Sequence, residues 1–247
     1  MKKTQTPWRS LVNILLPVLL LALAIGFSYF VVQFPQDKVV ERFVSYKKIM
    51  QLSRQHIYMV LVSSGLAIAT SVPLGIFITR PKYKRIAPKV IDIVNIGQTI
   101  PSLAVVALFV GFLGIGARTA IFALWIYSLL PILNNTLAGI LEVDPSIIES
   151  AKGMGMTPSR ILARVELPLA LPIIIAGIRT AITINIGSAI LAAFIGAGGL
   201  GDFIIAGNNV NRWQILVLGA SLPAFMAILA DHLFTLLEKR ISNYYTF

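Results

Sequence analysis

Residues 194–203 read FIGAGGLGDF, and Gly196, Gly198 and Gly201 stand at the G-x-G-x-x-G spacing of a loop that wraps a dinucleotide pyrophosphate. That chemistry needs a short buried strand before the glycines and a soluble helix after them. It also needs a ribose-binding acid about 20 residues further on. The apolar stretch before Gly196 is too long for a strand, Asp202 stands too near for that acid and Asp231 too far, and no G-x-x-x-x-G-K-[ST] phosphate loop occurs in the chain. The chain has no cysteine, which excludes thiol catalysis, disulfides and Cys-ligated metals. Its two histidines, His56 and His232, are far apart in sequence and are expected on opposite membrane faces, packed or interfacial rather than metal-bound. With no paired acid and base and no metal cluster in view, the chain is expected not to be an enzyme.

Polar residues inside apolar stretches are better leads. Asp92, Asn95, Thr99 and Ser102 recur at i, i+3, i+7 and i+10, one face of a single helix, with Gln98 beside them. Such a stripe is costly against lipid, so it is expected to face another helix or a water-filled path. Arg179, Thr183 and Gly187 follow at i, i+4 and i+8. Arg179 lies about eleven residues beyond Pro168, roughly 16 Å along a helix at 1.5 Å per residue. A central arginine costs about 2.5 kcal/mol or more on insertion scales, which demands a partner. Asp92, Asp231, Asn185 and backbone carbonyls are the alternatives, and the contact either fixes helices or gates a path. The small residues Ala192, Ala193, Gly196, Ala197, Gly198, Gly199 and Gly201 allow close backbone approach and a turn out of the membrane. The glycine loop is therefore expected to be an external gate or hinge. Asp92, Asn95, Thr99, Ser102, Arg179, Thr183, Gly196, Gly198 and Gly201 together form the candidate translocation path or gate. Trp213, Phe203, Tyr29 and Phe30 are expected as an outer interfacial belt.

The elements that position these residues follow from composition. The chain has 247 residues, 57% hydrophobic and 13% charged, with a mean hydropathy of +0.83. Soluble domains average about 45–50% apolar and about 25% charged, so so few charges cannot coat a soluble globule. Six apolar stretches, at residues 11–34, 57–79, 90–113, 119–141, 169–195 and 215–237, approach the ~20 residues that cross a bilayer. Each carries one proline: Pro17, Pro73, Pro101, Pro131, Pro172 and Pro223. Neighbouring helices and Ser/Thr groups are expected to satisfy the carbonyls they free.

The net charge of +11 reads as topology and anionic lipid rather than nucleic acid. Lys2, Lys3 and Arg9 precede the first stretch, Arg80, Lys82, Lys84, Arg85 and Lys89 crowd the loop after the second, and Lys239 and Arg240 follow the last. Six crossings put all three clusters on one side, so both termini are expected in the cytoplasm, although the mixed-charge loop 35–54 is also basic. Ala22-Leu23-Ala24 has the look of a signal-peptidase site, but the apolar run continues through Val32, so the first stretch is expected to stay uncleaved.

Between the fourth and fifth stretches lies EVDPSIIESAKGMGMTPSRILARVELPLALP. Asp144 is placed to cap a helix with Pro145 at its first position. Gly153 and Gly155 are placed to end it with a turn. Thr157-Pro158 restarts a second helix, capped by Thr157 and running through Arg160 and Arg164 to Leu167-Pro168. A short elbow with mixed faces is expected to be a docking surface.

This stretch resembles the "EAA" loop of permease subunits of ABC importers that use substrate-binding proteins: E-A-A, three residues, G, nine residues, I, one residue, L-P. Here the run is Glu149-Ser150-Ala151, then Gly155, then Val165-Glu166-Leu167-Pro168, with Ser150 and Val165 as small departures. SVPLGIFITR (71–80), NIGQTIPSLAVVALF (95–109), AGIRTA (176–181) and LAAFIGAGGLGDFI (191–204) are similar to permeases for quaternary-ammonium osmoprotectants such as glycine betaine, carnitine and choline.

The resemblance implies an all-α membrane protein of six transmembrane helices, a MetI-like type I ABC permease core with one extra N-terminal helix. Residues 1–54 would be the N-terminal helix and external linker, 55–240 the transmembrane domain with its coupling loop at 142–168, and 241–247 a cytoplasmic tail. It implies a multi-pass protein of the bacterial inner membrane that imports osmoprotectants. Its partners would be ABC ATPase subunits that bind ATP and Mg, a second permease in a homodimer or heterodimer, a periplasmic or extracellular solute-binding protein, and membrane lipids. Glu149, Ala151, Gly155, Val165, Leu167 and Pro168 would form the ATPase-coupling loop. The alternatives are a permease for methionine or another amino acid and, from another class, an ion-coupled secondary transporter using Arg179 and Asp92.

Overall fold

A chain this apolar must satisfy its backbone polar groups internally, and helices do so throughout. The computed structural model describes residues 7–83 and 85–245, and Lys2, Lys3 and Lys84 of the charge argument lie outside them. Every regular element among the described residues is helical. In chain order they are α1 (Pro7–Gln33), α2 (Lys38–Phe43), α3 (Tyr46–Ile78), α4 (Ala87–Thr99), α5 (Ser102–Leu113), α6 (Ala117–Leu141), α7 (Pro145–Gly153) and α8 (Pro158–Ile161). A π-helical turn (Leu162–Glu166), α9 (Leu167–Ser188), a 3₁₀ turn (Ala189–Ile195), α10 (Gly201–Asn209) and α11 (Trp213–Tyr245) complete the chain.

The six apolar stretches do not map onto six equivalent helices. Among the described residues four are long and apolar enough to cross a bilayer: Tyr46–Ile78, Ala117–Leu141, Pro158–Ile195 and Trp213–Ile241. The third stretch is two helices, α4 and α5, bent by 96° at a short break, and makes a fifth span only if the pair counts as one. The apolar part of the first, Pro17–Gln33, is shorter. The break falls at Pro101 because a residue before proline is driven out of the α region, and Ile100 is extended at ψ 129°. The Ile100 carbonyl accepts a hydrogen bond from the Tyr127 hydroxyl. The expected single-face stripe is thereby corrected: Asp92, Asn95 and Thr99 lie on α4, whereas Ser102 begins α5 across the bend.

The other prolines stay inside continuous helices. Pro131 has no N–H for the carbonyl four residues back, Tyr127, and Gln98 of α4 donates to that carbonyl at 2.6 Å. Small residues bring α3, α6 and α9 together. A Cβ on Gly75 would meet Thr136 at 2.7 Å, and one on Gly177 would meet the Pro131 carbonyl at 2.8 Å. A polar seam adds specificity: Asn185 of α9 donates to Ser63 and Ser64 of α3 at 3.0 Å each.

At one end of the bundle the segments that connect α1 to α2 and α10 to α11 are tied together. Gln214 donates to the Phe34 carbonyl at 3.1 Å and accepts from the Gln36 N–H at 2.7 Å. Asp37 caps α2 by accepting from Val39 and Val40 and pairs with Arg212 at 2.5 Å. Beneath them Val31, Val40, Val44, Leu52, Leu200, Phe203, Ile215 and Leu218 form one core cluster. Phe203 is 2% exposed, which removes it from the expected interfacial belt, while Trp213, Tyr29 and Phe30 remain exposed. The chain places Phe203 inward because α10 lies tightly on α11, where a Cβ on Gly219 would touch Phe203 and Ile204.

The Val40 N–H, together with the Arg212 guanidinium, holds the Asp37 carboxyl below its ordinary value of 3.8. A carboxyl that titrates lower when folded contributes stability that is full above the unfolded value and lost as pH falls through the folded one. Asp37→Asn is therefore expected to lower the melting temperature at neutral pH, and the two proteins' melting curves should converge below 3.8. A constant gap down to the lowest pH measured would remove Asp37 from the account.

Candidate functional site

The elbow is built by local capping. The Asp144 carboxylate accepts from the Ser146 N–H at 2.8 Å, with Pro145 in the first turn of α7. That hydrogen bond pulls the Asp144 carboxyl below its ordinary range. At the other end Met156 donates to the Ala151 carbonyl at 3.1 Å and Gly155 to that of Lys152 at 2.9 Å. This closing pattern needs a left-handed residue, and Gly155 supplies it at φ +76°. Gly153, expected to share the turn, is instead the last residue of α7 without a positive φ. Thr157 occupies the cap position of α8, but its side chain makes no capping bond.

The second arm does not stop at Pro168. It runs through α8, the π turn and α9 as one rod, Pro158–Ile195. Proline at position 168 fits because it falls in the first turn of α9. Glu149 and Gly155 are exposed, Ala151 is buried, and Val165, Leu167 and Pro168 are half-buried on the rod. Ile147 and Met154, 42% and 75% exposed, add an apolar patch to this polar tip. An exposed apolar patch rimmed by charges suits a protein contact.

Glu166, the unspecified position between Val165 and Leu167, is 8% exposed and pairs with Arg80 at 2.5 Å. Arg80 in turn donates to Thr79 at the end of α3. The elbow's root is thus tied to a loop 86 residues away. Sequence spacing singled out neither side chain in this role. The available signal was an acidic residue inside an otherwise apolar V-E-L-P.

The polar leads separate into different environments. Asp92 and Thr99 are exposed, and Thr99 donates to Ile96 on its own helix. Asn95 is half-buried, and Ser102 lines a small crevice with Tyr127 and Ser188. Asp92 forms no salt bridge among the described residues, so it is not the partner of Arg179. Arg179 instead meets α11: Asp231 at 3.5 Å, Glu238 at 3.2 Å and the Thr235 hydroxyl at 2.7 Å. Thr183 donates back to the Arg179 carbonyl.

The glycine loop leaves the 3₁₀ turn with Gly196, Gly198 and Gly199 at φ +67°, +77° and +92°. No strand precedes it; α9 and the 3₁₀ turn do. Of two consecutive residues of α3, one holds the loop and the other the end of α9 that leads to it. Gln55 accepts from the Gly199 N–H at 3.2 Å, and His56, fully buried, bonds the Ile186 carbonyl at 2.9 Å where α9 is about to tighten into 3₁₀. A Cβ on Gly198 would strike the Gln55 side chain, and one on Gly201 would strike the Ile190 carbonyl. His56 is a packed residue, in keeping with the sequence reading, whereas Gln55 and Gly199 were missed as loop anchors.

Residues 71–243 match the family described as the binding-protein-dependent transport system inner membrane component. The chain is similar to the choline transport system permease protein OpuBB of Bacillus subtilis (strain 168), with 46% identity over 188 residues, 76% of this chain and 86% of the relative. It is similar also to the carnitine transport permease protein OpuCD of Listeria monocytogenes, 44% over 195 residues, 78% of this chain and 86% of the relative. In fold it resembles a chain of the MetNI methionine ABC transporter in an inward-facing conformation. The TM-score is 0.72 at 22% identity, over 78% of this chain and 96% of that one.

Proposed function

Because the chain belongs to the family of binding-protein-dependent transport system inner membrane components, we propose that it is the membrane subunit of an ATP-driven importer for quaternary-ammonium osmoprotectants, the class that includes choline, carnitine and glycine betaine. The observation that carries this reading is 46% identity with a choline permease over most of both chains. Likeness to the methionine transporter stops at the fold.

In this reading the elbow seats in partner subunits that bind ATP and Mg and hydrolyse the nucleotide. Glu149 and Gly155 form its exposed contact, and Ala151 packs the tip onto the rod. Closure of the motors displaces the elbow, and the continuous rod carries the displacement toward the glycine loop about 57 Å away at 1.5 Å per residue. A second permease completes the path, and a solute-binding protein delivers cargo at the glycine-loop end. The six apolar stretches cross the inner membrane with both termini in the cytoplasm. The bent α4–α5 pair serves as one crossing and α1 as an extra N-terminal one. The elbow and the Arg80 loop then share the cytoplasmic face, which agrees with their contact at 2.5 Å. Asn95, Ser102, Thr183, Gly196, Gly198 and Gly201 belong to the path or its outer gate.

Uptake of radiolabelled choline, carnitine, glycine betaine and methionine at high osmolarity tests this in a strain with no other route for them. The chain and its partner subunits are expected to import at least one quaternary-ammonium solute, and omission of the ATPase should stop it. Uptake of methionine alone would overturn the substrate class. Gradient-driven uptake by the lone chain would overturn the subunit assignment.

A further inference from the structure

Arg179 faces two carboxylates, one more negative charge than its own positive charge balances. Asp231, Thr235 and Glu238 stand at i, i+4 and i+7 on one face of α11, and Arg179 of α9 touches all three. No carboxylate receives the guanidinium fork in two-pronged fashion: Nε lies 3.5 Å from Asp231 Oδ1, and Nη1 lies 3.2 Å from Glu238 Oε2. The bidentate arginine–carboxylate pair is the strong and geometrically specific form of this contact, and Arg179 does not form it. Here two carboxylates share one cation, and the Asp231 side chain is 53% exposed. The three positions cover roughly 10 Å of α11 at 1.5 Å per residue, about two helical turns. One-turn slides of packed helices past each other are an established form of switching. One turn is about half the span between these two carboxylates, so from its present place between them such a slide in either direction shifts Arg179 toward one and away from the other.

Where Arg179 sits gives this arrangement its use. It lies on the rod Pro158–Ile195, which is continuous with the elbow's second arm. Near its N-terminal end, about four turns from Asp231, α11 is packed with α10 so closely that a Cβ on Gly207 would meet the Leu216 backbone. Whatever holds α11 in register with the rod therefore also carries α10 and the glycine loop.

We propose that Arg179 is a positioning residue for translocation: it keeps α11 engaged with the elbow-driven rod and passes between Asp231 and Glu238 as the two helices slide. This rests on the permease reading above. It predicts that the residue governs how much transport each hydrolysis event produces, rather than hydrolysis itself.

The test uses the full complex, with ATPase and binding protein, in liposomes, measuring ATP hydrolysis and solute uptake on one preparation. Arg179→Gln should leave hydrolysis within about twofold of wild type while uptake per ATP falls about tenfold, within the usual range of coupling factors. Arg179→Lys should recover part of the loss. Asp231→Asn and Glu238→Gln should each lower uptake per ATP, and the double variant should match Arg179→Gln. Equal loss of hydrolysis and uptake in these variants would overturn the proposal, as would unchanged uptake per ATP. Should Arg179→Gln fail to accumulate, the two carboxylate variants decide by the same ratio. A wild-type complex without ATP-dependent uptake would instead sink the permease reading itself.

Discussion

Gly155→Asp and Glu149→Lys are each expected to abolish solute uptake while the protein still inserts at wild-type abundance. The two sites are exposed, and nothing lies within 4 Å of a Cβ built on Gly155. An added side chain therefore meets no neighbour within the chain. It incurs only the left-handed backbone penalty at φ +76°, about 1–2 kcal/mol for an ordinary residue. That cost does not unfold a bundle of this size. On the proposed function the expected loss arises outside the chain, where a carboxylate or a reversed charge would meet the partner subunit that the elbow is proposed to engage. Gly153→Ala, two residues earlier with ordinary helical backbone and open space around it, is the control and should transport normally. Uptake together with membrane abundance decides the matter. Normal uptake by both elbow variants would remove the elbow from the transport cycle.

Gly201→Val is expected to be the most damaging substitution at the other end, and its damage is structural. A Cβ there would lie against the Ile190 carbonyl, a backbone atom that cannot rotate aside, and 3.0 Å from the Ala193 Cβ. Overpacking costs about 1–3 kcal/mol and more where the obstacle is backbone. For a chain of this length each kcal/mol moves the melting temperature about 2–4 °C. Gly198→Ala should do less, because its obstacle is the movable end of Gln55, although displacing Gln55 also frees the Gly199 N–H. Gly196→Ala should be mildest, with Ile115 at 3.4 Å and only the positive φ to overcome. The drop in melting temperature in detergent should be largest for the Gly201 variant, smaller for Gly198 and smallest for Gly196. The reverse order would mean that close packing does not hold this loop.

Short-range features were legible in the sequence. Asp144-Pro145, Gly155 and the spacing to Leu167-Pro168 act within single helical turns, and the structure forms the elbow they describe. The three spaced glycines are likewise explained locally, by positive φ at Gly196 and Gly198 and by crowding at Gly201. What escaped reading depends on partners distant in the chain. Gln55 reaches Gly199 across 144 positions and Arg80 reaches Glu166 across 86. Side-chain type alone does not announce such pairings. The six prolines looked equivalent, yet only Pro101 ends a helix inside its stretch, and there the freed Ile100 carbonyl finds the Tyr127 hydroxyl. A periodicity of about 3.6 residues runs out at that bend, so Ser102, the first residue of α5, does not share the face of Asp92, Asn95 and Thr99 on α4. Phe203 was placed by its position near an expected surface, whereas packing of α10 onto α11 turns it inward.

The absence of native cysteine makes the most direct test available, since a single introduced thiol reports on its site alone. Met154→Cys places that thiol on the exposed tip of the elbow. In intact cells it should resist a membrane-impermeant thiol reagent, and in the assembled transporter it should cross-link to the ATP-hydrolysing subunit. Labelling from outside the cell, or a fully active complex in which no such cross-link forms, would contradict the account.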